Sequence, residues 1–240
     1  MMRNGPRSSR CALIWRVPIM KALPSAMEIL SNLIIIEDFI DETTCRSLID
    51  AHTRRPVRLN GGSDNGLYVP DMRWKNFAAF QAAKCLIDRV RHMIEIRYGD
   101  KVGCDLALIC AIVPGFRHTL HADNSKIVCR THGEDAERLV EAGCQCKDIE
   151  VKPNHTSWRK YTALLYLDSN HEGGSIVFGE GPNIYGRSYR KEIEVKRGLL
   201  VLSPSNELYH HYTTAVTSGV RYSMNIWFTP DKTHICRELA

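Results

Sequence analysis

The sequence predicts a mainly β, α+β fold of the sandwich or jelly-roll kind, and three features carry that expectation. From Cys104 onward the chain breaks into short β-type runs separated by Gly, Pro, Asn and Asp. Ahead of Cys104 lie two stretches with helical signals. The 240 residues, 44% of them hydrophobic, suffice for one domain with a substantial core, and neither an internal repeat nor a low-complexity linker divides them.

Taken in order, residues 1–26 read as an extension that is disordered or arises from a mis-called start, with Met20 and Met27 as alternative starts. Its apolar stretch 11–19 has the look of a signal-peptide core, but Arg16 interrupts it. One domain is then expected over 27–240. Residues 33–40 read as a short strand, and Asp41-Glu42-Thr43-Thr44 offers side chains that can cap a helix over 45–50. A Gly/Asn/Asp-rich loop follows at 60–66. Residues 78–98 place Ala82, Leu86, Val90, Met93 and Ile94 at helical spacing, and Gly99-Asp100 ends that helix.

The β-type runs are 106–113, 161–167, 175–178, 192–195, 199–202 and 220–228. An insertion at 124–158 interrupts them, with a helical piece expected over 134–142. Long loops in compact domains are commonly functional, and this one begins beside candidate ligands, so it is expected to border the substrate pocket as a lid.

Charge excludes some partners. Of 32 basic residues, Arg3, Arg7, Arg10, Arg16 and Lys21 precede the first acidic residue, Glu28, which leaves 27 basic against 27 acidic residues in the remainder. That balance gives no electrostatic footprint for nucleic acid or an anionic membrane. No apolar run reaches the length of a membrane span. Nine cysteines, an odd number without a framework pattern, favour reduced thiols and a cytoplasmic location.

The chemistry concentrates at His121-Ala122-Asp123, His211 and Arg221. Residues two apart on a strand share a face, so His121 and Asp123 can point inward together at the end of a run over 106–120. His211 follows Asp123 by 88 residues and must come from another strand. A strand would aim His210 and His211 at opposite faces, and the spacing to Arg221 favours His211. Two imidazoles and one carboxylate leave three positions open on a metal, the arrangement of non-haem Fe(II) oxygenases, whereas a structural zinc is closed by four ligands.

Arg221, Ser223 and Asn225 alternate along one strand and so present a guanidinium, a hydroxyl and an amide to one side. A buried arginine needs a counter-ion. A guanidinium grips a carboxylate in bidentate fashion, which near a metal points to 2-oxoglutarate. Cys129, His132, Cys144 and Cys146 match no strong zinc template. Trp74, between Arg73 and Lys75, is either a substrate-facing wall or a surface turn.

Several motifs occur in the order of a known family: Pro114-Gly115-Phe116-Arg117-His118, His121-Ala122-Asp123-Asn124, the run 161–168, Glu172-Gly173-Gly174-Ser175 to Phe178, Gly198, and His211 through Val216, Gly219 and Arg221 to Trp227-Phe228-Thr229. Over residues 104–230 the chain resembles the 2-oxoglutarate/Fe(II) oxygenases of the prolyl hydroxylase type, and most of all the catalytic domain of prolyl 3-hydroxylases, the leprecan group.

The resemblance implies a double-stranded β-helix, a cupin-like jelly roll, with supporting N-terminal helices. It implies that His121, Asp123 and His211 bind Fe(II) and that Arg221 pairs with the distal carboxylate of 2-oxoglutarate. Thr162 and Ser223 are implied partners of that carboxylate, while Tyr161 faces away. Many prolyl 4-hydroxylase relatives carry tyrosines where this chain has Ile112 and His118, whereas Asn124 agrees with the prolyl 3-hydroxylase pattern. The resemblance also implies O2 as the second co-substrate, with ascorbate an optional addition.

The expected activity is hydroxylation of a proline-like ring, in free proline, in pipecolate or within a peptide, with formation of succinate and CO2. Without a reticulum-retention ending, a disulfide framework or a further recognition domain, the sequence leans towards a small molecule or short peptide. A hydroxylase acting on a folded macromolecule and a non-catalytic jelly-roll binding module are the alternatives. Halogenation is disfavoured, because Asp123 stands where a chloride site needs a small residue that does not coordinate. Oligomeric state is not readable from the sequence.

Overall fold

The structure, a computed structural model, describes residues 24–54, 66–130, 149–180 and 189–240. The segment 1–23, most of the 60–66 loop, the helical piece expected at 134–142, and His132, Cys144 and Cys146 lie outside the described residues.

Helices form where caps and apolar spacing coincide. Helix α1 (Ala26–Ser31) opens with a reciprocal capping box between Ser25 and Glu28, and strand β1 (Ile34–Ile36) follows. Helix α2 (Glu42–Thr53) begins at Asp41, whose carboxylate accepts the Thr44 N–H at 2.8 Å. After β2 (Leu67–Tyr68) and α3 (Met72–Lys75) comes α4 (Phe77–Tyr98), capped by Asn76, which accepts the Ala79 N–H at 3.1 Å. Helix α4 buries Ala79, Phe80, Ala83, Leu86, Ile87, Val90 and Ile94, a stripe at helical period. It stops at Gly99, whose φ of 74° would cost a residue with a β-carbon about 1–2 kcal/mol. No described helix is long and apolar enough to cross a membrane.

The remaining strands are β3 (Gly103–Ile112), β4 (Ser125–Cys129), β5 (Ile149–Pro153), β6 (Tyr161–Tyr166), β7 (His171–Gly173), β8 (Ile176–Phe178), β9 (Lys191–Ile193), β10 (Leu200–Pro204), β11 (His211–Thr213), β12 (Val216–Gly219) and β13 (Arg221–Thr229). A six-stranded sheet has the order β1-β10-β6-β13-β3-β2, a three-stranded sheet the order β11-β8-β9, and β12-β7 and β4-β5 form separate pairs. The two larger sheets are antiparallel throughout.

Alternation along the six-stranded sheet sorts its two faces. On one, Ala107 and Ile109 of β3, Ala163 and Leu165 of β6, and Met224, Ile226 and Phe228 of β13 join Leu48, Leu86 and Val90 of the helices in one apolar cluster. Each fully buried large side chain there contributes about 1.5–3 kcal/mol. On the other face, Tyr166 and Val201 pack with Ile176 and Phe178 of the three-stranded sheet. Helices, large sheet and small sheet thus stack as a jelly roll, the double-stranded β-helix expected.

Two expectations need correction. The strand expected over 106–120 ends at Ile112, because Pro114 has no N–H to donate and Gly115 turns the chain at φ 83°. His121 instead makes an isolated antiparallel bridge with His211. The described ends of the 124–158 insertion are strands rather than loop: β4 and β5 pair from Ser125↔Pro153 to Cys129↔Ile149. Trp74 is 84% exposed with Arg73 over its ring, a surface position.

Candidate active site

A cavity of about 180 Å³ opens between the two larger sheets, and the polar face of the six-stranded sheet forms its floor. Alternate residues line it: Thr162, Leu164 and Tyr166 from β6, and Arg221, Ser223, Asn225 and Trp227 from β13. Leu108 and Cys110 of β3 complete the floor. His118, His121, Asp123, Ile176, His211 and Thr213 stand opposite or at the rim.

The His121–His211 bridge brings the two ring centroids to 4.6 Å. Each imidazole is oriented by its own backbone. His121 Nδ1 lies 2.7 Å from the Thr119 carbonyl, and His211 Nδ1 lies 3.0 Å from the Tyr209 carbonyl. Carbonyls only accept, so both Nδ1 atoms carry hydrogen, which in a neutral imidazole leaves Nε2 with the lone pair a metal needs. Burial, reinforced by His121, pushes His211 down to about 4, so its imidazole is neutral, as coordination requires.

Asp123 is buried between them. Burial alone would raise its pKa, but His211, His121 and hydrogen bonds from Trp227 and Thr162 outweigh this and hold the carboxyl below its ordinary range. Trp227 Nε1 donates to Oδ1 at 2.8 Å and the Thr162 hydroxyl donates to Oδ2 at 2.8 Å. Each carboxylate oxygen retains a further lone pair. The donors gather around one cavity without closing to grip an ion at a single point. By type, by the freed Nε2 atoms and by the ionised carboxylate, they fit a divalent metal.

Arg221 lies deeper and is 3% exposed. One terminal nitrogen donates to the Gly174 carbonyl at 2.7 Å, and Nε has no partner. No carboxylate pairs with it among the described residues. Its guanidinium carbon stands 5.7 Å from the centre of the Tyr166 ring. Burial pushes the Tyr166 phenol up to about 12, so it carries its proton and can donate. A buried cation with an unpaired donor and a phenol beside it has the chemistry to accept an anion.

The other expected residues are placed as follows. Ser223 lines the cavity and its hydroxyl donates to Asn225 Oδ1 at 2.9 Å. Thr162, expected beside a co-substrate carboxylate, commits its proton to Asp123 and accepts from Ser205 at 2.8 Å, so here it supports the acid. Tyr161 faces the apolar side, stacks on Tyr98 and donates to Asp100. His210 is buried outside the cavity, 6.4 Å from the Tyr189 ring by centroid. The sequence assigned no site role to Trp227, His118 or Tyr166, which line the cavity. Trp227 and Tyr166 were legible as continuations of the alternations Arg221-Ser223-Asn225 and Thr162-Leu164.

A double-stranded β-helix whose cavity gathers two imidazoles and a carboxylate falls in the class of non-haem oxygenases. Within that class the chain belongs to the 2OG-Fe(II) oxygenase superfamily, whose family model matches residues 108–229, over half of its length. It is 30% identical over 213 residues to prolyl 3-hydroxylase 2 of Gallus gallus, an alignment covering 82% of this chain and 30% of the relative. The chain thus spans less than a third of the length of the curated relatives it matches.

Solved structures share the fold. The viral collagen prolyl hydroxylase of Paramecium bursaria chlorella virus-1, in its 2OG complex, superposes with a TM-score of 0.56 at 16% identity, covering 84% of this chain and 97% of that one. A Trichoplax adhaerens prolyl hydroxylase, in complex with a hypoxia inducible factor oxygen degradation domain peptide fragment, does so with a TM-score of 0.58 at 16% identity, covering 85% and 86%.

Proposed function

We propose that this protein is an Fe(II)- and 2-oxoglutarate-dependent dioxygenase that hydroxylates the ring of a prolyl residue held within a peptide. The observation that carries the reading is Arg221: a buried guanidinium with an orphaned Nε, in one cavity with His121, Asp123 and His211. Its charge calls for an anion, and a dicarboxylic acid small enough for the cavity supplies one.

His121, Asp123 and His211 would hold the metal. Bound Fe(II), with 2-oxoglutarate and O2, supplies the oxidation, in which the keto acid yields succinate and CO2 and one oxygen atom enters a C–H bond. The chain's own residues bind, orient and shield. Arg221 and the Tyr166 phenol take the distal carboxylate, with Ser223 beside them. Thr162 and Trp227 fix the Asp123 carboxylate. Leu164 and Ile176 give the inner cavity apolar walls that exclude water.

Peptide-bound proline suits the lining better than a free amino acid. Arg221 is the one lysine or arginine and Asp123 the one acid among the described cavity residues. Once both are engaged, a free amino acid would bury an ammonium and a carboxylate without partners, whereas a peptide-bound prolyl ring carries neither charge. The names of the relatives, prolyl 3-hydroxylase and collagen prolyl hydroxylase, agree with that choice.

The test is mass spectrometry of anaerobically purified, Fe(II)-loaded protein given 2-oxoglutarate and O2 with a proline-containing peptide, free proline or pipecolate. The expected result is succinate together with a one-oxygen mass gain in the peptide. Hydroxylation of the free amino acids alone would overturn the peptide assignment. No succinate with any of them would favour a non-catalytic binding module.

A further inference from the structure

The returning end of the insertion reaches Asp123 from outside the donor set. In β3 the register against β13 slips between Trp227, opposite Leu106, and Phe228, opposite Cys104. Cys104 and Ala107, three apart, both face the apolar cluster, so Asp105 is the extra residue of a β-bulge. Bulges beside active sites re-aim side chains. Here Asp105 meets Arg159, whose Nε donates to Oδ2 at 2.7 Å, with both side chains only 12% exposed.

The Arg159 guanidinium also lies over the indole of Trp227, 4.4 Å from the ring centre. That indole donates to the Asp123 carboxylate. The backbone closes a second path. The Arg159 carbonyl accepts from Asn124 Nδ2 at 2.9 Å, its N–H donates to the Thr156 carbonyl at 3.0 Å, and the Thr156 hydroxyl donates to the Asp123 carbonyl at 2.6 Å.

We propose that Arg159, anchored by Asp105 at the β3 bulge, is a positioning residue for metal binding that acts through the Trp227 indole on the Asp123 carboxylate. It rests on the reading of Asp123 as a metal ligand. A cation on the face of an indole fixes the ring plane and draws electron density from it, which aims and strengthens the Nε1–H as a donor. Only a planar guanidinium stacks on a ring while its edge donates to a carboxylate, so lysine is not equivalent here. Loss of such an outer partner of a ligating carboxylate typically lowers metal affinity about 10–100-fold.

The test uses the full chain, metal-free and anoxic, titrated with Mn(II) while free Mn(II) is read by electron paramagnetic resonance. Melting of the metal-free protein is followed in parallel. Arg159→Lys keeps a cation beside Asp105, and Trp227→Phe keeps the ring but removes the donor. Each is expected to weaken Mn(II) binding about tenfold or more, and the double variant to be no weaker than Trp227→Phe alone, because both changes break one path. The metal-free melting temperature of Arg159→Lys should stay near that of the parent.

Two results would overturn the proposal: unchanged Mn(II) affinity in Arg159→Lys, whatever its melting temperature, or losses that multiply in the double variant. Should Arg159→Lys not fold, Asp105→Asn, which loosens the anchor, carries the same expectation. A parent protein that binds no Mn(II) would remove the metal-site reading itself, an outcome distinct from binding that ignores Arg159.

Discussion

His121 and His211 exchange both backbone hydrogen bonds of one antiparallel bridge, at 2.9 and 2.8 Å, although the chain between them builds β4 through β10. The bridge sets the spacing of the two imidazoles by main-chain geometry, and side chains only complete it. The site is therefore a product of sheet register, and its predictions follow from which side chain each register position presents.

The first concerns the adjacent histidines. His211 faces the cavity, whereas His210 is buried beyond it with Nδ1 at 2.7 Å from the Glu207 carbonyl. His211→Ala should lower Mn(II) affinity and turnover by more than about 100-fold, beyond the loss typical of supporting residues. His210→Ala should retain both within a few-fold. Calorimetric titration of the two variants checks this, and the reverse ranking would move the donor to His210.

Arg221→Ala removes a buried cation. Charge-assisted hydrogen bonds contribute about 1.5–3 kcal/mol each, so 2-oxoglutarate affinity should fall by about 10- to 100-fold or more. Tyr166→Phe removes one neutral donor and should cost about 1 kcal/mol. Metal affinity should stay near the parent value in both. Equilibrium binding of 2-oxoglutarate to the Mn(II) form gives the answer, and an unchanged Kd in Arg221→Ala would remove that residue from the role.

Gly174 packs against the Arg221 side chain and accepts its hydrogen bond. A β-carbon there would stand 3.0 Å from Arg221 Cδ and 3.1 Å from Val216 Cγ2, on a backbone at φ 73°. Gly174→Ala should lose about 1–2 kcal/mol for the left-handed backbone alone. It should also weaken 2-oxoglutarate binding, because the side chain that must give way is the one proposed to hold the distal carboxylate. Thermal melting and 2-oxoglutarate titration separate the two effects. A variant that melts lower yet binds normally would show that Arg221 adapts.

Cys45 gives an alkaline signature. Cys45 is a residue of α2 buried in the apolar cluster, and that burial pushes its thiol from the ordinary 9.0 up to about 11. A raised folded-state pKa means stability that is whole below pH 9 and is lost as pH climbs towards 11, because the unfolded chain ionises first. The melting temperature should therefore fall across that window, and less steeply in Cys45→Ala. At pH 8, iodoacetamide should modify exposed Cys85 and spare Cys45 in the folded protein; equal labelling by mass spectrometry would contradict the burial.

Much of this was legible in the sequence where period and chemistry coincided. The strands β3, β6, β10 and β13 are long enough to alternate, so Arg221, Ser223 and Asn225 could be assigned to one face from their spacing. Helix α4 announced itself by its stripe and its glycine. Strands β7, β11 and β12 span three or four residues, too few for a period to show. His121 does not continue β3, since a proline and a left-handed glycine intervene, and only tertiary pairing returns it to the sheet. The Asp105 bulge was equally hidden, because nothing local distinguishes an extra residue in one strand from an ordinary alternation.

The period of two along β13 has a consequence for how this chain can change. Tyr222, Met224, Ile226 and Phe228 belong to the apolar cluster or pack against it, while Arg221, Ser223, Asn225 and Trp227 line the cavity. A substitution at one parity changes the cavity lining and leaves the apolar cluster in place. The loss or gain of a single residue within the strand would turn the guanidinium towards the helices and a phenylalanine towards the cavity. Variation by exchange of residues is open to this strand, and variation by change of length is closed.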